Sequence, residues 1–110
     1  MMEKKVKYKK EIKKIVKRIA GKYKPEKIIL FGSFAYGKPG KNSDADLFII
    51  KKTKKPRTKR HFEVDKLLMD RSIPLDILVY TPEEVKRRLF LEDFFIRNII
   101  RQGKPLYVKK

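Results

Sequence analysis

Residues 28–47 read IILFGSFAYGKPGKNSDADL, and this stretch decides the fold. Its opening run is apolar, rich in β-formers and stopped by Gly32, which predicts a short buried strand. The segment GKPGKN that follows is a dense cluster of turn formers and predicts a loop. From Asp44 onward the pattern is again extended, so that Asp44 and Asp46 share one face of a second predicted strand. Two strands joined by a glycine-rich loop therefore form the centre of the chain.

Helical and extended patterns alternate on both sides of this centre. Apolar residues between Tyr8 and Tyr23 recur at spacings of three and four, which predicts an amphipathic helix. The later predicted elements are a helix at 62–71, a strand at 75–80, a helix that begins at Pro82 and breaks near Glu92 and Asp93, and an edge strand at 106–108. This order predicts an α/β (α+β) fold in which a three- or four-stranded sheet is covered by helices. We expect residues 1–110 to form a single domain.

The composition is that of a small and very basic domain. The 110 residues include 31 Lys or Arg and 13 Asp or Glu, which gives a formal net charge of +18. Such a charge is typical of a nucleic-acid-binding face, because phosphate contacts release counterions, and equally typical of a solvated surface. The scarcity of Asn, Gln and Cys beside many Lys, Arg and Glu residues also follows the trend of thermophile proteins. Composition therefore leaves a nucleic-acid partner open.

The same composition excludes several kinds of site and location. The chain has no Cys and one His, so disulfides and cysteine nucleophiles are excluded, and any metal must be held by carboxylates. Hard cations such as Mg²⁺ are the default ions for such a site. No apolar run reaches the ~18 residues of a membrane span, and the Lys-rich N-terminus lacks the pattern of a signal peptide. We expect a cytoplasmic protein without a membrane partner.

The strongest chemical signal is a pair of carboxylates two positions apart. Residues at this spacing on a strand point to the same side, about 6.6 Å apart, so Asp44 and Asp46 can share ligands. Two metal ions about 3.5–4 Å apart can be held by such carboxylates. Asp76 supplies a third carboxylate if the third strand lies beside the second. Gly32 lets backbone approach a phosphate closely, and Ser33 offers a hydroxyl beside it.

Together these residues resemble the signature of the DNA polymerase beta superfamily of nucleotidyltransferases. The matching features are the Gly32-Ser33 pair, the glycine-rich loop and the sequence SDADL. The short length and the ending GKPLY resemble most closely the minimal nucleotidyltransferases, antitoxin partners of HEPN proteins, over nearly the whole chain. The resemblance implies a mixed sheet and a two-metal Mg²⁺ site held by Asp44, Asp46 and Asp76. It also implies a nucleoside triphosphate, such as ATP, whose phosphates rest on Gly32 and Ser33.

The reaction that the resemblance implies is transfer of a nucleoside monophosphate. An acceptor hydroxyl attacks the α-phosphate and pyrophosphate leaves, while Asp76 helps to deprotonate the acceptor. In the toxin–antitoxin relatives the acceptor is a tyrosine of the HEPN protein and the transferred group is AMP. We therefore expect a nucleotidyltransferase that acts as the antitoxin of a HEPN-type partner, with the acceptor arriving on another protein or an RNA end. The alternative is an inactive relative that neutralises a partner protein, or binds nucleic acid, through its surface alone.

One segment departs from the family pattern. Many relatives carry Arg within three residues after the Gly-Ser pair, whereas residues 34–36 read FAY in this chain. Lys38 or Lys41 is the candidate to replace that phosphate-binding charge. The departure leaves nucleotide affinity and the preferred base open.

Two further segments allow more than one interpretation. Residues 51–60 hold seven Lys or Arg and no acid, which predicts an exposed loop. That loop is either simply solvated or guides RNA or an acidic partner. The last predicted helix has surplus apolar residues at 90, 91 and 94–96, which either complete the core or form an interface with a second copy or a partner protein. His61 is expected at the surface.

Overall fold

Eight elements form the described part of the structure, a computed structural model that describes residues 2–32, 35 and 45–110, with side chains described from Lys7 onward in the first helix. In chain order they are α1 (Met2–Lys22), β1 (Lys27–Phe31), β2 (Ala45–Ile50), α2 (Arg57–Leu67), β3 (Leu75–Tyr80), α3 (Pro82–Phe90), α4 (Phe94–Gln102) and β4 (Lys104–Val108). This order confirms the predicted α/β (α+β) class. No helix in these described ranges is both long and apolar enough to cross a membrane.

The strands form a mixed four-stranded sheet in the order β3-β2-β1-β4. β1 pairs antiparallel with both β2 and β4, while β2 and β3 run parallel and are joined through α2. β4 is an edge strand, as predicted, but its pairing with β1 already includes Lys104 and Pro105. An edge strand tolerates a proline, which lacks the N–H for a second neighbour. The arrangement places β2, which carries Asp46, between β1 and β3.

Helices cover both faces of the sheet. α1 and α2 bury one cluster of apolar side chains against the first face, and α3 and α4 bury a second cluster against the other. In β2, Leu47 and Ile49 belong to the first cluster and Phe48 to the second, because successive side chains of a strand point to opposite faces. Phe48 is fully buried, with its ring centroid 5.2 Å from that of Tyr80. The same alternation places Asp46 on the face covered by α3 and α4.

The predicted break in the C-terminal helix is confirmed. α3 starts with a capping box, in which the Glu84 N–H donates to the Thr81 hydroxyl at 3.1 Å and the Thr81 N–H donates to the Glu84 carboxylate at 2.8 Å. After α3, Glu92 takes a left-handed φ of 59°. Asp93 then caps α4 by accepting hydrogen bonds from the N–H groups two and three residues later. A left-handed residue followed by an N-cap is therefore the physical cause of the break.

The sequence prediction for residues 51–60 is wrong in its second half. The segment is helical from Arg57 onward, where α2 begins. Arg60 is 6% exposed and makes a two-point ion pair with Glu84, with nitrogen–oxygen distances of 2.7 and 3.3 Å. A local count of charges cannot show this role, because a buried Arg is compensated here by a carboxylate from a distant helix. His61 is exposed, as predicted.

Candidate active site

A glycine lies against a carboxylate at the end of β1. Gly32 has a left-handed φ of 78°, which side chains with a Cβ atom rarely adopt. A Cβ atom at this position would also overlap the carboxylate of Asp46 on the neighbouring strand. The N–H of Ala35 donates a hydrogen bond to the carbonyl of Gly32 at 3.0 Å. Both the backbone conformation and the space available therefore require glycine beside Asp46.

Asp46 and Asp76 lie side by side on parallel strands. The two residues are paired in register between β2 and β3, whose backbones are about 4.8 Å apart. Asp46 is half-buried, whereas Asp76 is exposed. On its other side Asp46 is the register partner of Phe31 in β1. Phe31, Asp46 and Asp76 thus form one row across the sheet, on the face covered by α3 and α4, which we call the carboxylate row.

The structure brings together three of the five residues that the sequence singled out for the site. Gly32 lies against Asp46 because β1 pairs with β2, and Asp76 lies beside Asp46 because β3 pairs with β2, which was the condition for a third carboxylate. Ser33 and Asp44 lie outside the described residues, as do both lysines named as candidates for phosphate binding. Their roles stay predictions.

The chemistry of the carboxylate row suits a hard divalent cation. Mg²⁺ is usually bound by one or two carboxylates together with water and substrate phosphates, and Asp46 and Asp76 provide two carboxylates next to each other. Two negative charges this close repel, so a cation between them is stabilised. Within residues 2–32, 35 and 45–110, no three potential ligands cluster, so a third carboxylate would have to come from a residue such as Asp44. The oxygen donors that are described therefore fit a magnesium ion.

An apolar surface begins next to the carboxylate row. The ring of Phe95 packs edge-on against Phe31, with 5.9 Å between centroids and 87° between planes. The junction of α3 and α4 exposes four large apolar side chains, here called the aromatic patch: Phe90 (85% exposed), Leu91 (57%), Phe94 (71%) and Phe95 (53%). Ile96, which the sequence grouped with them, is buried in the core. The surplus apolar residues therefore divide between core and surface.

The charged contacts of Arg60 lie at the other end of the strands. Tyr80 ends β3 about 13 Å along the strand from Asp76, and its carbonyl accepts a hydrogen bond from the Lys51 N–H. At this end burial raises the pKa of Glu84, but hydrogen bonds from Arg60 and a backbone N–H, together with the attraction of nearby arginines, outweigh burial and hold that pKa below its ordinary value. The basic segment therefore supports the fold at a distance from the two carboxylates.

Comparison with known proteins identifies the family. The family model of the Nucleotidyltransferase domain matches residues 9–106. A Methanocaldococcus jannaschii protein that is named as a protein adenylyltransferase is 30% identical over 103 residues, which cover 89% of this chain and 96% of that protein. The match extends over nearly the whole length of both proteins.

Solved structures share the fold at lower identity. A crystal structure named as that of a nucleotidyltransferase from Sulfolobus solfataricus superposes with a TM-score of 0.70 at 20% identity, covering 98% of this chain and 86% of that one. A mutant of the toxin–antitoxin MntA-HpeT gives a TM-score of 0.59 at 22% identity, over 88% and 72% of the two chains. The fold, the family match and the curated relative agree with the resemblance seen in the sequence: the chain belongs to the nucleotidyltransferase domain family and is a nucleotidyltransferase.

Proposed function

We propose that this nucleotidyltransferase moves AMP from ATP to a hydroxyl of a partner protein, with Mg²⁺ held by Asp44, Asp46 and Asp76. The observation that carries the proposal is the close approach of the Gly32 backbone to the carboxylate of Asp46, which is the register partner of Asp76. Such a site can hold a phosphate and a divalent cation together.

The relatives support the nature of the transferred group and of the acceptor. The Methanocaldococcus jannaschii protein is named as a protein adenylyltransferase, which supports AMP as the group and a protein as the acceptor. The similarity to a toxin–antitoxin structure supports a toxin as that protein. The resemblance to minimal nucleotidyltransferases supports a toxin of the HEPN type, with this chain as its antitoxin.

In the proposed reaction, the acceptor oxygen forms a bond to the α-phosphorus of ATP. The bond from that phosphorus to the oxygen that bridges to the β-phosphate breaks, and pyrophosphate leaves with the electron pair. The proton of the acceptor hydroxyl passes to the carboxylate of Asp76, which is exposed and can return it to water. The backbone of Gly32 and the hydroxyl of Ser33 orient the phosphates. When bound, Mg²⁺ neutralises charge on the phosphate oxygens.

The surface beside the site favours a protein acceptor. The aromatic patch exposes about 500 Å² of apolar surface if a whole side chain presents about 200 Å², more than half of the ~800 Å² that one partner contributes to a standard interface. Apolar patches of this size on soluble proteins commonly mark interaction sites. Because Phe95 contacts Phe31, the register partner of Asp46, a protein docked on the patch would bring its hydroxyl to the carboxylates.

The test is transfer of label from α-labelled ATP in the presence of Mg²⁺, by the pure protein alone and with its host lysate. We expect label on one protein band, lost with Asp76→Asn and retained with Asp70→Asn. Asp70 is the matched control because it is an exposed Asp that pairs with Arg18 on the opposite face of the sheet. Circular dichroism checks that both variants are folded.

Each result has a distinct meaning. Label on RNA or on a small molecule, with no labelled protein, would contradict the protein acceptor. No label from any of the four nucleotides, with partner binding intact, would instead favour the inactive binding module.

A further inference from the structure

A groove with an apolar floor runs between α1 and β4. Its volume is about 570 Å³. The apolar side chains that line it are those of Ile12, Val16, Ala20, Leu30, Leu106 and Tyr107. Ile12, Val16 and Leu30 belong to the cluster on the first face of the sheet, and Tyr107 packs against it. The groove therefore lies on the face opposite the carboxylate row.

Among the residues that the structure describes, four lysines and no acidic residue line this groove. Lys9, Lys13 and Lys17 follow one another at intervals of four along α1, which gives steps of about 6 Å along the helix axis. Lys104 lines the groove from the side of β4. None of these lysines forms an ion pair with another described residue. Like charges at this helical spacing repel, so an anionic ligand in the groove would relieve the repulsion.

We propose that this groove binds an acidic amphipathic helix of a partner protein. An amphipathic helix presents an apolar stripe, which would cover the floor of the groove. Glu or Asp residues at intervals of four beside that stripe repeat at the same ~6 Å step as the lysines of α1. Each carboxylate would then lie opposite one ammonium group. A helix fits the groove in two respects, because its apolar stripe matches the floor and the spacing of its carboxylates matches that of the lysines.

The net positive charge of the chain argues against a second copy of it as the occupant of the groove. A second copy would add a further net charge of +18. Each of the four described helices carries more Lys and Arg than Asp and Glu, so none of them provides an acidic stripe. The groove therefore requires a partner of opposite charge.

Nucleic acid matches only part of the groove. Phosphates would pair with the lysines but would leave the apolar floor uncovered. A helix laid in a groove satisfies both the cations and the apolar surface. Because the groove and the carboxylate row lie on opposite faces, the docked helix would leave the candidate active site accessible.

Two synthetic peptides of identical composition provide the first test on the full-length chain. In the first peptide a stripe of Leu is flanked by Glu at intervals of four, and in the second the Glu residues are moved to the opposite face. Fluorescence anisotropy measures binding, and changes in backbone amide NMR shifts locate the bound peptide. We expect the first peptide to bind along the groove, and the second to bind about tenfold more weakly because its ion pairs are lost.

Two double variants with the same change in charge provide the second test. Lys13→Glu/Lys17→Glu alters the groove, whereas Lys10→Glu/Lys14→Glu alters exposed lysines that do not line it. We expect the groove variant to weaken binding of the first peptide about tenfold and the control variant by less than about threefold. Equal losses in the two variants, equal binding of the two peptides, or shift changes at the aromatic patch would each overturn the proposal. Tighter binding of single-stranded RNA at the same residues would overturn it in favour of nucleic acid.

Discussion

Replacing Gly32 by alanine tests the candidate site with the addition of one methyl group. The change has two separate costs. A left-handed φ such as the 78° of Gly32 costs a residue with a Cβ atom about 1–2 kcal/mol. The new Cβ atom also overlaps the carboxylate of Asp46, which is the mobile end of a side chain and can rotate away. We therefore expect the free energy of unfolding to fall by only about 1–2 kcal/mol, because the carboxylate moves instead of the backbone.

The effect of Gly32→Ala on nucleotidyl transfer should be much larger than its effect on stability. A displacement of about 1 Å in a catalytic group can lower a rate about 10²-fold, because positioning supplies much of the catalysis. We expect a loss of this order in the initial rate of AMP transfer at saturating ATP and Mg²⁺. Urea unfolding of the same preparation measures stability independently.

Gly21→Ala is the matched control for this substitution. A Cβ atom at Gly21 meets no atom within 4 Å, and alanine is favoured over glycine within a helix by up to about 1 kcal/mol. The control should therefore be as stable as the wild type or slightly more so, with an unchanged transfer rate. A wild-type rate in Gly32→Ala would refute the reasoning, because the position of the Asp46 carboxylate would then be irrelevant to the reaction.

Three further predictions concern the metal, the Arg60 ion pair and the aromatic patch. Millimolar Mg²⁺ should raise the thermal midpoint of the wild type but not of Asp76→Asn; equal shifts would place the ion elsewhere. Glu84→Gln should lower the free energy of urea unfolding at pH 7 by at most about 3 kcal/mol, because it leaves Arg60 buried without its carboxylate. Since the folded pKa of Glu84 is lowered, this difference should shrink as the pH falls below its ordinary value of 4.5, and a constant difference would contradict the assignment. Phe94→Ser should change the free energy of unfolding by less than about 0.5 kcal/mol, yet it should slow transfer to the partner protein. If the variant instead bound ATP more weakly, the aromatic patch would contact the nucleotide and not the partner.

Features encoded by neighbouring residues could be predicted from the sequence. β3 has the predicted bounds because Pro74 and the Thr81-Pro82 helix start delimit it on both sides. The break before α4 was visible because two acidic residues interrupt an apolar helix, and one of them is an N-cap. In each case the cause is local, since capping and proline geometry act within a few residues.

Features that depend on distant pairing could be predicted only in part. The sequence predicted that Asp46 and Asp76 are neighbours only if β3 pairs with β2. The structure shows this pairing, with the two residues in register. The burial of Arg60 depends on Glu84, 24 residues away, and local charge density predicted the opposite. The sequence showed that the last predicted helix has more apolar residues than one core face needs, but not that some of them lie beside the carboxylates. The contact between Phe31 and Phe95 establishes that position.

The composition of the carboxylate row explains why the neighbouring surface matters for the proposed reaction. Its two carboxylates and the Gly32 backbone beside them suit the phosphates and the cation of the proposed reaction but offer little surface to bind an acceptor. Catalysis by positioning requires binding energy from parts of the substrate that do not react. That energy must come from contacts beyond the row, and the aromatic patch begins where Phe95 meets Phe31. If the two carboxylates of the row act as proposed, acceptor specificity in this enzyme should therefore reside in the patch.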